Sequence, residues 1–232
     1  MKKINLKGPI VNDSQKRFYD WMEMAAVCPK DISNELPDDG EEIELTVNSP
    51  GGIVNAGSEI YTALKEYSGD VTVKVVGMAA SAASVVIMAA DKIKISPTAR
   101  IMIHNGSVYA EGDHRDMESA KEALTTADKG IRSAYMSKTK LSEEELTDLM
   151  NKETYMDAQK AVELGFADEI MFQEETIEIA ASVENGLLSE VTINKVMNIM
   201  AKEKAPVPKD NSKEINQMKN ELLKEEILNS LY

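Results

Sequence analysis

Between Val71 and Ile95 the chain reads VTVKVVG, then MAASAASVVIMAAD, then KIKI. The outer pieces alternate apolar residues as half-buried strands do. The middle piece is built mostly of Ala, Ser and Val, small enough for a helix to lie close on a sheet. Strand, helix, strand without a hairpin turn is the order of a parallel crossover unit, because parallel neighbours need a connection long enough to return the chain. Gly77 is expected to end the first strand, which puts Ser81 at the start of the helix.

The flanking sequence repeats the alternation. INLKGPI reads as a strand closed by Gly8 and Pro9, and NDSQKRFYDWMEMAAV as a helix with Asn12, Asp13 and Ser14 as cap candidates. EEIELTVNS places Ile43, Leu45 and Val47 on one face; PGG breaks it, and IVNAGSEIYTALKEY returns to helical spacing. In KIKISPTARIMIH, Pro97 falls in the connection between two strands. From about 112 to 140 the chain is long, charged and helical, interrupted only by Gly130. LSEEEL carries a capping box, Ser142 with Glu145. YMDAQKAVELG then reads as a helix capped by Asp157 and ended at Gly165, and FADEIMF as a closing strand. The class expected is α/β with a largely parallel sheet.

Composition narrows what such a domain can do. A net charge of -14 leaves no excess of Lys and Arg to displace phosphate counterions, so no nucleic-acid partner is expected. No apolar run reaches the length of about 20 residues that a membrane span needs, and the N-terminus lacks a secretory pattern. Cys28, the one cysteine, is read as a buried small hydrophobe in a cytoplasmic protein.

Two serines in a small-residue helix ordinarily serve packing. A helix-start position changes the weighing for Ser81, where backbone N–H groups can face a developing negative charge. Acyl transfer needs a nucleophile, a base, a group orienting the base, and donors for the tetrahedral oxygen. Ser81, His104 at the end of RIMIH, and the NSPGG loop can supply three of these. Ser84, one turn deeper, is expected to face packing or to bond back to its own helix. His114, in EGDHRD, reads as solvated surface. With two histidines and no second ligand spaced near either, no metal site and no cofactor are expected.

Five motifs in order, INLKGPI, LTVNSPGGIVNAGSEIYTAL, GMAASAASVVIMAAD, ARIMIHNGS and YMDAQKAVELGFADEI, resemble the family of the Clp protease proteolytic subunit, ClpP. More narrowly they resemble the ClpP-related head maturation proteases of tailed phages. The resemblance covers roughly 3 to 172. It implies a crotonase-like β-α-β superhelix in a protease domain over 1–180 and a protruding handle helix at about 112–140. It also implies a Ser-His-acid triad and a ring-forming homo-oligomer, heptameric or a double ring. After about 180 the sequence changes to a breaker-rich link and a charged terminal segment with few apolar residues, so a helical or partly disordered tail, extra to the family, is expected over 181–232.

By that resemblance the nucleophile falls on Ser81, the base on His104, and the oxyanion donors on the backbone N–H groups of Gly52 and Ala82. The acid falls on Glu153, where the family ordinarily has Asp; Asp157, already explained as a helix cap, is the fallback. The chain starts almost on its first core strand, so the axial segment that meets an unfoldase is expected to be missing. The expected function is therefore ATP-independent trimming of capsid or scaffold proteins in the assembling prohead, in the host cytoplasm and without a Clp ATPase. Three alternatives stay open: a housekeeping ClpP with an unfoldase partner, a crotonase-fold acyl-CoA enzyme, and a catalytically silent assembly protein.

Overall fold

The structure, a computed structural model, describes residues 1–173. The tail expected over 181–232, and the boundary at 180, lie outside the described residues. The fold is mixed α/β. Strand β1 (Lys2–Lys7) buries Ile4 and Leu6, and helix α1 (Asp13–Trp21) starts from Asn12 in a capping box with Gln15. Helix α1 stops earlier than the run to Val27 suggests: Glu23 takes a positive φ of 56°. The chain doubles back there because Val27 must pair beside β1, donating to the Pro9 carbonyl at 3.0 Å and accepting from the Val11 N–H at 2.9 Å.

After the short helix α2 (Pro29–Ser33) come β2 (Ile43–Ser49), α3 (Val54–Glu66) and β3 (Val71–Ala80). Each strand is linked to the next by helix, and β1, β2 and β3 pair in parallel. The apolar face of this sheet, with Leu6, Leu45, Val47, Val73 and Val75, packs with Ile60 and Leu64 of α3 in one core. The opposite face is polar, although parallel sheets are usually covered on both sides. Ion pairs lace it, Lys74 to Glu44 at 2.6 Å among them.

Strand β3 does not end at Gly77. It runs to Ala80 and changes partner on the way: Thr72–Val75 pair with β4 (Lys92–Ile95), and Met78–Ala80 pair with β5 (Arg100–Ile103). The pairing with β2 shifts register at the same place, between Val47 and Ser49. Gly77 sits at the change because a Cβ there would lie 2.4 Å from Asn48 Oδ1, and that oxygen accepts the Met78 N–H at 3.1 Å. The glycine permits a close approach that continues the strand in a new direction. Helix α4 (Ala82–Ile87), every residue buried, then connects β3 to β4.

Helix α5 (His114–Lys138) spans 25 residues from a capping box at Asp113 and Asp116, and buries nothing before Ile131. Its last turns are anchored: Ile131, Ala134 and Tyr135 are buried, and Lys138 Nζ donates to the Asp91 carbonyl at 2.8 Å and pairs with Asp168 at 3.2 Å. Helix α6 (Glu143–Asn151) opens on the Ser142 and Glu145 capping box. A three-residue strand, β6 (Thr154–Met156), where the sequence shows no strand pattern, pairs antiparallel with β5. Helix α7 (Ala158–Glu163) follows the Asp157 cap, and β7 (Glu169–Ile170) closes the sheet on β4. No helix among the described residues is long and apolar enough to cross a membrane.

Candidate active site

The split of β3 decides where the chemistry-bearing residues meet. Because Ala80 pairs with Met102 in parallel, the next residues out, Ser81 and then His104, emerge from neighbouring strand ends. Their side chains join: His104 Nε2 and Ser81 Oγ lie 2.7 Å apart. The antiparallel pair Ile103 with Thr154 then sets Glu153 opposite His104. Glu153 Oε1 lies 4.0 Å from His104 Nδ1, on the side of the ring away from Ser81 and beyond hydrogen-bond reach. That carboxylate is 70% exposed, against 23% for the imidazole.

Ser81 is held in a backbone conformation that side-chain-bearing residues seldom adopt, φ 55° and ψ -126°. Such a residue costs about 1–3 kcal/mol and persists only where its surroundings over-determine it. Its N–H donates to the Met102 carbonyl at 2.9 Å, and its carbonyl accepts the Ser84 N–H at 2.9 Å. The sharp turn raises the hydroxyl out of the sheet toward His104.

The Gly51 and Gly52 loop runs against this turn. A Cβ on Gly51 would fall 2.4 Å from the Ala80 carbonyl oxygen, and one on Gly52 2.1 Å from that of Ile10. Gly52 also takes a φ of 149°, in the region that favours glycine. Among the described residues neither the Gly52 nor the Ala82 N–H has a hydrogen-bond acceptor. Both residues line a cleft of about 310 Å³ together with Ser81 and His104. Two free backbone donors beside a hydroxyl and an imidazole in hydrogen-bond contact form an arrangement able to attack a carbonyl and hold the resulting oxyanion.

The remaining candidates fall elsewhere. Asp157 accepts the Lys160 N–H at 2.8 Å, so its carboxylate is engaged at its own helix. His114 is an exposed first residue of α5. Cys28 is buried, and burial pushes its thiol up to about 11. Ser84 is fully buried and bonds back to the Ser81 carbonyl at 2.6 Å, so its hydroxyl does not reach the cleft.

Three features of the site had no signal in the sequence. Asn105 Nδ2 donates to Asn151 Oδ1 at 2.8 Å, tying the residue after His104 to the turn before Glu153. Tyr135 of α5 reaches Ser84 at 2.8 Å. Gly130 of α5 lines the cleft with open space, nothing within 4 Å, where its Cβ would be.

Comparison with known proteins follows the same residues. A family model described as Clp protease matches 20–174, a span that contains Gly52, Ser81, Ala82, His104 and Glu153. The ATP-dependent Clp protease proteolytic subunit of Deinococcus radiodurans is 38% identical over 136 residues, 57% of this chain and 66% of that protein, just under two thirds of its length. The ATP-dependent Clp protease proteolytic subunit 1 of Protochlamydia amoebophila is 35% identical over 149 residues, 62% of this chain and 72% of that protein.

Proposed function

The chain belongs to the Clp protease family of peptide-bond hydrolases, and from that premise we propose that it is a serine endopeptidase working through Ser81, His104 and Glu153. The observation that carries the reading is the 2.7 Å contact between Ser81 Oγ and His104 Nε2 beside the unpaired N–H groups of Gly52 and Ala82. Ser81 Oγ attacks the substrate carbonyl carbon while its proton passes to His104 Nε2. The carbonyl oxygen takes the electron pair and is held by the two N–H groups. Collapse of the tetrahedral intermediate breaks the C–N bond, and His104 returns the proton to the leaving amine. Water then repeats the sequence on the acyl-Ser81 ester. Glu153 faces His104 Nδ1 and orients the ring; Asp157 does not serve, because it caps α7.

The substrate is an extended segment of a capsid or scaffold protein, trimmed without ATP during phage head maturation. The ordered motifs support this by resembling that branch, and an extended segment, unlike a folded domain, can pair with a strand edge beside the site. Self-assembly belongs to the same proposal, with α5 as the handle between copies of the chain; within the described residues it fully buries no residue before Ile131. A housekeeping role with an unfoldase is the second reading, favoured by the names of the two relatives, both ATP-dependent proteolytic subunits. The purified protein is to be incubated with a capsid precursor, with and without ATP and a Clp ATPase, and the products read by mass spectrometry. Discrete trimming without nucleotide supports maturation. Cleavage only with ATP and the ATPase assigns the housekeeping role, and no cleavage in either arm sinks the peptidase reading.

The open space at Gly130 makes a further expected result. Gly130→Leu projects a side chain into the cleft and replaces a mid-helix glycine, so stability should rise by roughly 0.5–1 kcal/mol. Peptides with a bulky residue before the scissile bond should lose about tenfold in kcat/KM, the scale of one or two buried methylenes, while those with alanine there change little. Equal loss for both peptides would mean that the space at Gly130 does not receive the residue before the scissile bond.

A further inference from the structure

On the reading of Ser81 as nucleophile, we propose that Ser84 and Tyr135 are positioning residues that hold the oxyanion-binding peptide from behind. The Ala82 N–H and the Ser81 carbonyl are opposite ends of one planar peptide unit. Whatever fixes the carbonyl therefore aims the N–H. The Ser81 carbonyl oxygen accepts three hydrogen bonds: the Ser84 N–H at 2.9 Å, the Val85 N–H at 3.4 Å, and the Ser84 hydroxyl at 2.6 Å, the shortest of the three.

Proton counting gives the direction of the next link. A carbonyl only accepts, so Ser84 Oγ spends its single proton on Ser81. At the 2.8 Å contact with Tyr135 the phenol must then be the donor. The chain of donors runs from Tyr135 O–H to Ser84 O–H to the Ser81 carbonyl, and each bond polarises the next. A more polarised carbonyl makes the Ala82 N–H at the other end of the peptide a stronger donor to the oxyanion. Ser84 is fully buried and Tyr135 is 1% exposed, so water does not compete for these hydroxyls. Among the described residues the Tyr135 hydroxyl has no other hydrogen-bond partner, and its ring is braced edge-on by Phe166 at 5.4 Å. A residue of α5, 51 positions along the chain, thus sets a peptide beside the nucleophile.

The test measures acylation of the full chain by a fluorophosphonate probe, steady-state kcat and KM on a peptide, and the unfolding midpoint. The proteins are wild type, Ser81→Ala, Ser84→Ala, Tyr135→Phe, and the Ser84→Ala/Tyr135→Phe double variant. Losing an oxyanion donor outright costs about 10²–10³ in kcat, and weakening one from behind should cost about tenfold. Ser84→Ala is expected to show that loss in kcat and acylation rate with KM unchanged, and Tyr135→Phe a smaller loss of the same kind. Ser84→Ala alone strands a buried phenol, so it should also lower the midpoint. The double variant removes both hydroxyls, and its midpoint should recover while its acylation stays slow. That split separates positioning from a purely structural role. Wild-type acylation in the double variant overturns the inference even if Ser84→Ala fails to fold. If wild type is no more reactive than Ser81→Ala, the peptidase reading itself fails, and the inference falls with it.

Discussion

Ser81→Ala is expected to lower peptide-bond hydrolysis by about 10⁶-fold, the loss typical of removing a triad nucleophile, while leaving the fold intact. Ser81 Oγ has His104 as its one hydrogen-bond partner among the described residues, so deleting it strands no buried group. The φ of 55° is imposed by the backbone bonds to Met102 and Ser84, which alanine keeps. Circular dichroism and fluorophosphonate labelling of the purified variant check both halves of the expectation. Ser84 offers no substitute nucleophile, being fully buried with its hydroxyl engaged. Near-normal turnover in Ser81→Ala, with Ser84→Ala dead, would reverse that assignment.

Glu153→Gln should lower kcat by roughly 10³ to 10⁴, since an amide in place of the carboxylate favours the wrong imidazole tautomer and withdraws support from the imidazolium. The 4.0 Å separation and 70% exposure mean that the carboxylate must close by about an ångström to hydrogen-bond, as catalytic contacts often do only in the substrate complex. Water screening at so exposed a group places the expected loss at the lower end of that range. Asp157→Asn is the control and should be nearly silent, because asparagine caps a helix about as well as aspartate. Steady-state kinetics of the two variants rank them. A severe Asp157→Asn and a mild Glu153→Gln would move the acid to Asp157.

The features legible in the sequence are those encoded within a turn or two of chain. Alternation in IELTVNS and VTVKVVG marks strands because side chains of a strand point to opposite faces at every residue. Asp113, Ser142 and Asp157 mark helix starts because a cap satisfies N–H groups only two or three positions away. Ser81 and His104 were legible as a pair, the one at an expected helix start and the other at the end of a strand-like run, and the SPGG loop by glycines that break the strand before it.

What only the tertiary structure decided lies between residues far apart in the chain. The continuation of β3 past Gly77 depends on β5 arriving as a second partner, and nothing in VVGMAA announces that neighbour. The three residues of β6 are too few to show a period, yet their pairing with β5 is what brings Glu153 to His104. The early end of α1 is set by Val27 returning to Pro9 and Val11, against a local pattern that would continue the helix. The link from Tyr135 to Ser84 joins two helices through buried hydroxyls. Local sequence determines which element a residue belongs to, because propensity and capping act over a few bonds. Which elements touch is settled by the burial of the whole core and the pairing of every strand edge, and the geometry around Ser81 follows from that alone.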